Sequence, residues 1–103
     1  MFNLLGGNTK TDSIEEYLQK DAVVIDVRTV PEFMEGHVQG SKNIPLDEIG
    51  LHIEEIKQLG KPIITCCRSG ARSGTAENIL KDQGIDAING GPWQTVENCM
   101  RQA

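Results

Sequence analysis

The sequence predicts an α/β domain, a sandwich of helices around a central, mainly parallel sheet, and three features carry that expectation. The runs AVVIDV (22–27), PIITC (62–66) and IDAI (85–88) are rich in β-branched residues and continuously apolar, as in parallel strands covered on both faces. The segments between them repeat apolar residues at helical spacing. With 103 residues, 38% apolar and 24% charged, the chain is sized for one core, so 1–103 is read as a single domain.

TDSIEEYLQK (11–20) is expected to be the first helix, because Ile14, Tyr17 and Leu18 share a face and Ser13 and Glu16 have capping-box spacing. The strand AVVIDV follows. VPEFMEG (30–36) places Pro31 near a helix start and Gly36 at its end. HVQGSKNIP (37–45) reads as a loop with a brief strand around Lys42 to Ile44. In LDEIGLHIEEIKQLG (46–60), Leu46, Ile49, Ile53, Ile56 and Leu59 form one helical stripe and Gly60 stops it. PIITC then leads into CRSGARS (67–73), and SGTAENILKDQG (73–84) continues as a helix closed by Gly84. After the strand IDAI, GGPWQTVENCM (90–100) is expected to be a turn and a terminal helix.

Charge and composition exclude several classes of function. A net charge of −5 disfavours nucleic acid and acidic membranes as partners, since both are bound by basic patches. No apolar run approaches the roughly 20 residues of a membrane span, and MFNLLGG lacks the basic start of an export signal, so the expected location is cytoplasmic. An odd count of 3 cysteines argues against a disulfide framework. Neither the cysteines nor His37 and His52 have metal-ligand spacing, and no cofactor motif is present, so neither a metal nor a cofactor is expected.

The charge is nevertheless uneven. From Lys61 to Ala76 there is no acid, while Lys61, Arg68 and Arg72 are all basic. This window holds the segment CCRSGARSG (66–74), outside the carboxyl end of a strand, where α/β folds place their sites. Alternation along the strand sends Cys66 and Cys67 to opposite sides, which assigns Cys66 to the core and Cys67 to the loop mouth. A lone cysteine at a strand end is ordinarily a small buried hydrophobe. Here the convergence of loop N–H groups, a following helix N-terminus, Arg68 and Arg72 would favour a thiolate at Cys67. Gly70 frees the turn, and Ser69 and Ser73 offer hydroxyls to an anion or to the helix cap. The segment reads as a sulfur nucleophile facing an anionic substrate.

The order of four motifs resembles the rhodanese family of sulfurtransferases: VVIDVR with Asp26 and Arg28; PEFMEGHVQGSKNIP with Glu32, Phe33, Gly36, His37, Gly40, Asn43 and Pro45; CRSGARS; and the pair Gly90-Gly91. The resemblance implies a rhodanese-like α/β/α sandwich and a Cys67 that carries a persulfide, with Arg68, Ser69, Gly70, Ala71 and Arg72 completing the substrate-binding loop. It implies a small sulfur-containing anion such as thiosulfate as donor, with cyanide, a thiol or a protein as acceptor. Two departures stand out: Ser41 replaces the usual Ala, and Pro92-Trp93 follow the glycine pair at once, which changes the path expected of the last turn.

Supporting roles are expected for Asp26 and Arg28, either orienting the loop or pairing within the fold. Glu32 and His37 are read as joining the short helix and the following loop to the sheet, Trp93 as packing, and His52 as a face residue beside its helical stripe. Cys99, on the terminal helix, is a candidate resolving thiol whose simpler reading is a bystander. Among rival functions, a cysteine phosphatase or arsenate reductase resembles the Cys-to-Arg pattern but keeps five residues between the two, against the four from Arg68 to Ala71 here. A persulfide carrier shares the first chemical step, and a non-enzymatic binding module would have lost the cysteine that this chain keeps.

Overall fold

The computed structural model describes residues 9–102, with side chains from Ser13 onward; the segment MFNLLGG lies outside the described residues. Among the described residues, five α-helices and four strands follow one another: α1 (Thr9–Gln19), β1 (Val23–Asp26), α2 (Val30–Met34), β2 (Lys42–Asn43), a 3-10 helix (Leu46–His52), α3 (Ile53–Leu59), β3 (Ile63–Cys67), α4 (Ala71–Asp82), β4 (Ala87–Pro92) and α5 (Trp93–Gln102). The strands form one parallel sheet in the order β2-β1-β3-β4. This is the expected sandwich.

Both sheet faces are covered, which explains the continuous apolar runs. One face packs Ile25, Val27, Ile63 and Ala87 against Ile49, Ile56, Ala76 and Leu80 from the 3-10 helix, α3 and α4. The other packs Val24, Ile64 and Cys66 against Ile14, Val96 and Cys99 from α1 and α5. The stripe read from Leu46 to Leu59 is real, but its first half is 3-10 rather than α. Gly50 lies in that half, where it lowers α propensity.

Other boundaries differ from the sequence reading. Helix α1 begins at Thr9, so Ser13 lies inside it and caps nothing at its start. The capping box sits instead on α2, where the Thr29 and Glu32 side chains exchange bonds with each other's backbone N–H and Pro31 occupies the first turn. The glycine pair is not a turn after the last strand. Strand β4 runs through it to Pro92, and Thr65 pairs with Asn89 while Cys67 pairs with Pro92. Two steps on β3 therefore face three on β4, a bulge in which Gly91 takes φ +81°, the left-handed region open to glycine. The bulge carries the chain straight into α5, so Trp93 needs no intervening loop.

Gly90 is constrained by space rather than by φ. A Cβ there would lie 2.6 Å from Val96 Cγ2, 2.8 Å from Ile64 Cγ2 and 2.9 Å from the Thr65 carbonyl oxygen. The last of these is backbone and cannot rotate away. Gly90→Ala is expected to lower stability by about 1–3 kcal/mol, measured by urea denaturation, through overpacking beneath the site. An unchanged midpoint would show that the α5–β4 contact yields freely.

Candidate active site

The site lies at the carboxyl end of β3, between the ends of β1 and β4. Alternation along β3 separates the two adjacent cysteines as expected, with Cys66 on the α1/α5 face and Cys67 on the α4 face. Cys67 is nonetheless the last residue of the strand, and its side chain is buried beneath the loop rather than standing at its mouth. Burial there does not protect it from ionisation. The Gly70 N–H donates to Cys67 Sγ at 3.0 Å, the Ser73 N–H at 3.4 Å, and the Ser73 hydroxyl lies 3.3 Å away. Burial raises the thiol pKa, but hydrogen bonds from Ser73, Gly70 and Ser69 outweigh it and hold Cys67 below an ordinary thiol.

Gly70 makes this cradle possible. It takes φ +101° at the N-cap of α4, bringing its own N–H and the Ser73 N–H of the first turn onto the sulfur; a Cβ there would meet Gly91 Cα at 3.4 Å, so the backbone angle rather than space calls for glycine. Cys66 shows the opposite behaviour. Burial, and next the Asp26 carboxylate, push its thiol pKa up, so it stays protonated in the core. Burial also raises Cys99, which lies on α5 within the Cys66 face of the core rather than the Cys67 face.

The arginines have unequal situations. Arg72 forms a bidentate pair with Glu32 at 2.8 and 3.0 Å, so its charge is balanced inside the protein instead of being presented to an anion. The Arg72 hydrogen bonds, followed by that from the Thr29 backbone, hold Glu32 well below the usual carboxylate range. Glu32 thus ties α2 to α4, not to the sheet as the sequence suggested. Arg68 is exposed at the rim and makes no ion pair among the described residues. Ser69 and Ala71 are also exposed, and the Ser69 hydroxyl accepts from the Ala71 N–H at 3.4 Å.

Asp26 and Arg28 form a buried pair, with Arg28 Nε and Nη2 at 2.9 and 2.7 Å from the carboxylate oxygens. Arg28 also donates to the Gly36 carbonyl at 2.6 Å, and its guanidinium lies over the Trp93 ring, 5.1 Å from the centroid. Trp93 is therefore more than packing. His37 donates from Nδ1 to the Phe33 carbonyl at 2.8 Å and stacks on the Phe33 ring, so it braces its own segment and not the sheet. The Ser41 hydroxyl donates to the Val38 carbonyl at 2.6 Å, which accommodates the departure from Ala.

In front of the loop lies a cavity of about 270 Å³ lined by Arg28, Glu32, Glu35, Arg68, Trp93 and Gln94. Another, about 330 Å³, opens beside Ile56, Lys61 and Asp86 near the starts of β3 and β4, at the other end of those strands from the loop that carries Arg68. Position, rather than size, selects the first: Arg68, next to Cys67 in the chain, lines it, while the Cys67 side chain stays buried behind the loop. Two contributors to this site escaped the sequence reading. Asn89 bonds Ser73, Gly91 and Gly70, and the Thr65 hydroxyl donates to the Ser73 carbonyl at 2.8 Å. Asn89 directly precedes the glycine pair, and that adjacency was the one available signal.

The family model described as "Rhodanese-like domain" matches residues 10–91. The chain belongs to the rhodanese-like family. It is 37% identical over 81 residues to the uncharacterized protein YqhL of Bacillus subtilis, an alignment covering 77% of this chain and 64% of that protein. With the thiosulfate sulfurtransferase PspE of Escherichia coli it shares 36% identity over 65 residues, covering 62% of each. The chain thus spans less than two thirds of these relatives' length. A rhodanese structure with anions, from E. coli, superposes with a TM-score of 0.63 at 35% identity, covering 72% of this chain and 89% of that one. Membership in this rhodanese-like family agrees with the observed parallel sheet and with the loop at the end of β3.

Proposed function

We propose that the protein is a sulfurtransferase that moves sulfane sulfur through a persulfide on Cys67. The observation that carries this reading is the converging set of Gly70 N–H, Ser73 N–H and Ser73 hydroxyl on Cys67 Sγ, which favours a thiolate. Family membership and the similarity to the thiosulfate sulfurtransferase PspE support it. The thiolate attacks the outer sulfur of thiosulfate; the S–S bond of the donor breaks, and its electron pair leaves with sulfite. Cys67-S-S⁻ remains. An acceptor thiolate then attacks the outer sulfur, and the Cys67 thiolate departs as leaving group. The loop donors stabilise the anion at both steps.

The substrate enters through the cavity before the loop. Arg68, which has no ion pair among the described residues, meets the donor's sulfonate, while Arg72 acts at one remove by holding α2 against α4 through Glu32. The sulfur acceptor is a small thiol or a partner protein acting from the cytoplasm, and the reaction uses no metal or cofactor. Mass spectrometry after thiosulfate treatment tests the reading: one added sulfur on the Cys67 peptide, removable by a thiol, is expected. Sulfur on Cys66 or Cys99 instead, or none at all, overturns it.

A further inference from the structure

Asn89, on β4, does not line the cavity, yet it bonds to the loop on both sides of the nucleophile's cradle. Its amide has one workable orientation. Oδ1 accepts from the Gly91 N–H at 2.8 Å and Nδ2 donates to the Gly70 carbonyl at 3.0 Å; a flipped amide would set donor against donor and acceptor against acceptor. Oδ1 therefore faces the Ser73 hydroxyl, 2.7 Å away, while that same hydroxyl lies 3.3 Å from Cys67 Sγ. Ser73 is fully buried and has a single hydroxyl proton to give.

We propose that Asn89 is a positioning residue that holds the Ser73 hydroxyl proton while the Cys67 sulfur is neutral and yields it when that sulfur becomes a thiolate. With Cys67 as a thiol, its S–H donates to Ser73 Oγ and the Ser73 hydroxyl donates to Asn89 Oδ1. Loss of the thiol proton to solvent or to a base in solution leaves an anion, a stronger acceptor than an amide carbonyl, and the hydroxyl turns to the sulfur. Asn89 Oδ1 keeps the Gly91 N–H throughout, so neither arrangement strands a buried polar group. The cycle rests on the persulfide reading. In the persulfide the inner sulfur is neutral and the hydroxyl returns to Asn89; when the acceptor takes the outer sulfur, the hydroxyl meets the departing thiolate.

A carboxylate at position 89 would reverse this preference, because it would keep the hydroxyl proton from the thiolate. The test is the pH dependence of Cys67 alkylation by iodoacetamide in the full chain, for wild type, Asn89→Asp, Ser73→Ala and the double variant. Asn89→Asp is expected to raise the midpoint by about one pH unit or more, by withholding the proton and adding a negative charge nearby. In the Ser73→Ala background the same substitution should move it by less than half as much, since the added charge and the lost bond to the Gly70 carbonyl remain but there is no hydroxyl proton to withhold. Equal shifts in both backgrounds, or no shift in wild type, overturn the proposal. Asn89→Ala, which removes the competing acceptor, covers the case in which the carboxylate variant does not fold. Its midpoint should fall or stay unchanged, and a rise overturns the proposal. Alkylation needs no sulfur donor, so these midpoints decide the role of Asn89 even if thiosulfate fails to load Cys67, the result that sinks the persulfide reading alone.

Discussion

Cys67→Ser is expected to reduce sulfur transfer from thiosulfate to cyanide by at least about 1000-fold, equivalent to about 4 kcal/mol of activation free energy. The cradle of Gly70 and Ser73 donors can stabilise an anion on sulfur, but a serine hydroxyl stays protonated at neutral pH and has no persulfide to form. Cys66→Ser in the same assay should keep most of the activity that its folded fraction allows, because Cys66 lies on the opposite sheet face. Hydrolysis of an aryl phosphate distinguishes the phosphatase alternative. Only four residues separate Cys67 from Arg72, and that arginine is already paired with Glu32, so neither the loop length nor a free guanidinium suits a phosphate dianion. Sulfur transfer surviving in Cys67→Ser, or strong phosphatase activity without persulfide in wild type, would falsify the assignment.

The second large effect is expected on folding. Asp26→Ala would leave the Arg28 guanidinium buried beneath Trp93 with, among the described residues, the Gly36 carbonyl as its remaining hydrogen-bond acceptor. Breaking a buried pair from one side typically costs about 3–5 kcal/mol, because the remaining charge is neither solvated nor balanced. That is a large part of the stability of a domain this small. Replacing both members, as in Asp26→Ala with Arg28→Leu, removes the stranded charge and should recover much of the loss, although the Gly36 carbonyl then lacks its donor. Urea denaturation of the single and double variants measures both. A loss below about 1 kcal/mol in Asp26→Ala would mean that the pair behaves like a surface ion pair despite its burial.

Ionisation of the cysteines should also shape stability at high pH. Cys66 and Cys99 have thiol pKa values raised in the folded state, so each contributes stability that is intact below the unfolded thiol pKa of about 8.5 and declines above it. Cys67 has the opposite sign, since its lowered pKa adds stability that is lost as pH falls through the folded value.

Much of this protein was legible from local order. Continuous β-branched runs announced buried parallel strands, helical stripes announced their covering helices, and strand alternation placed Cys66 and Cys67 on opposite faces. Gly70 and the residues after Cys67 marked an anion-favouring loop because the glycine, the strand end and the helix start are neighbours in sequence. Such features depend on periodicity and on the conformational freedom of single residues, both of which a chain carries with it.

Where local signals competed with packing, packing prevailed. Gly90-Gly91 read as a turn, yet pairing with β3 draws them into a bulged strand, and only there does Gly90 fit between Val96, Ile64 and the Thr65 carbonyl. The pairing of Asp26 with Arg28 was one of the readings open beforehand, but the partners of Arg72 and Asn89 were invisible. Arg72 meets Glu32 across 40 positions, and Asn89 meets Gly70 across 19, because α2, α4 and β4 converge only once the sheet is ordered β2-β1-β3-β4. The sequence by itself determined the fold class and the opposite faces of Cys66 and Cys67, since both follow from short-range pattern. Tertiary structure decided which arginine stays without an ion pair and which hydroxyl reaches the sulfur, because a charge or a proton is committed to whichever partner the fold brings within hydrogen-bonding distance.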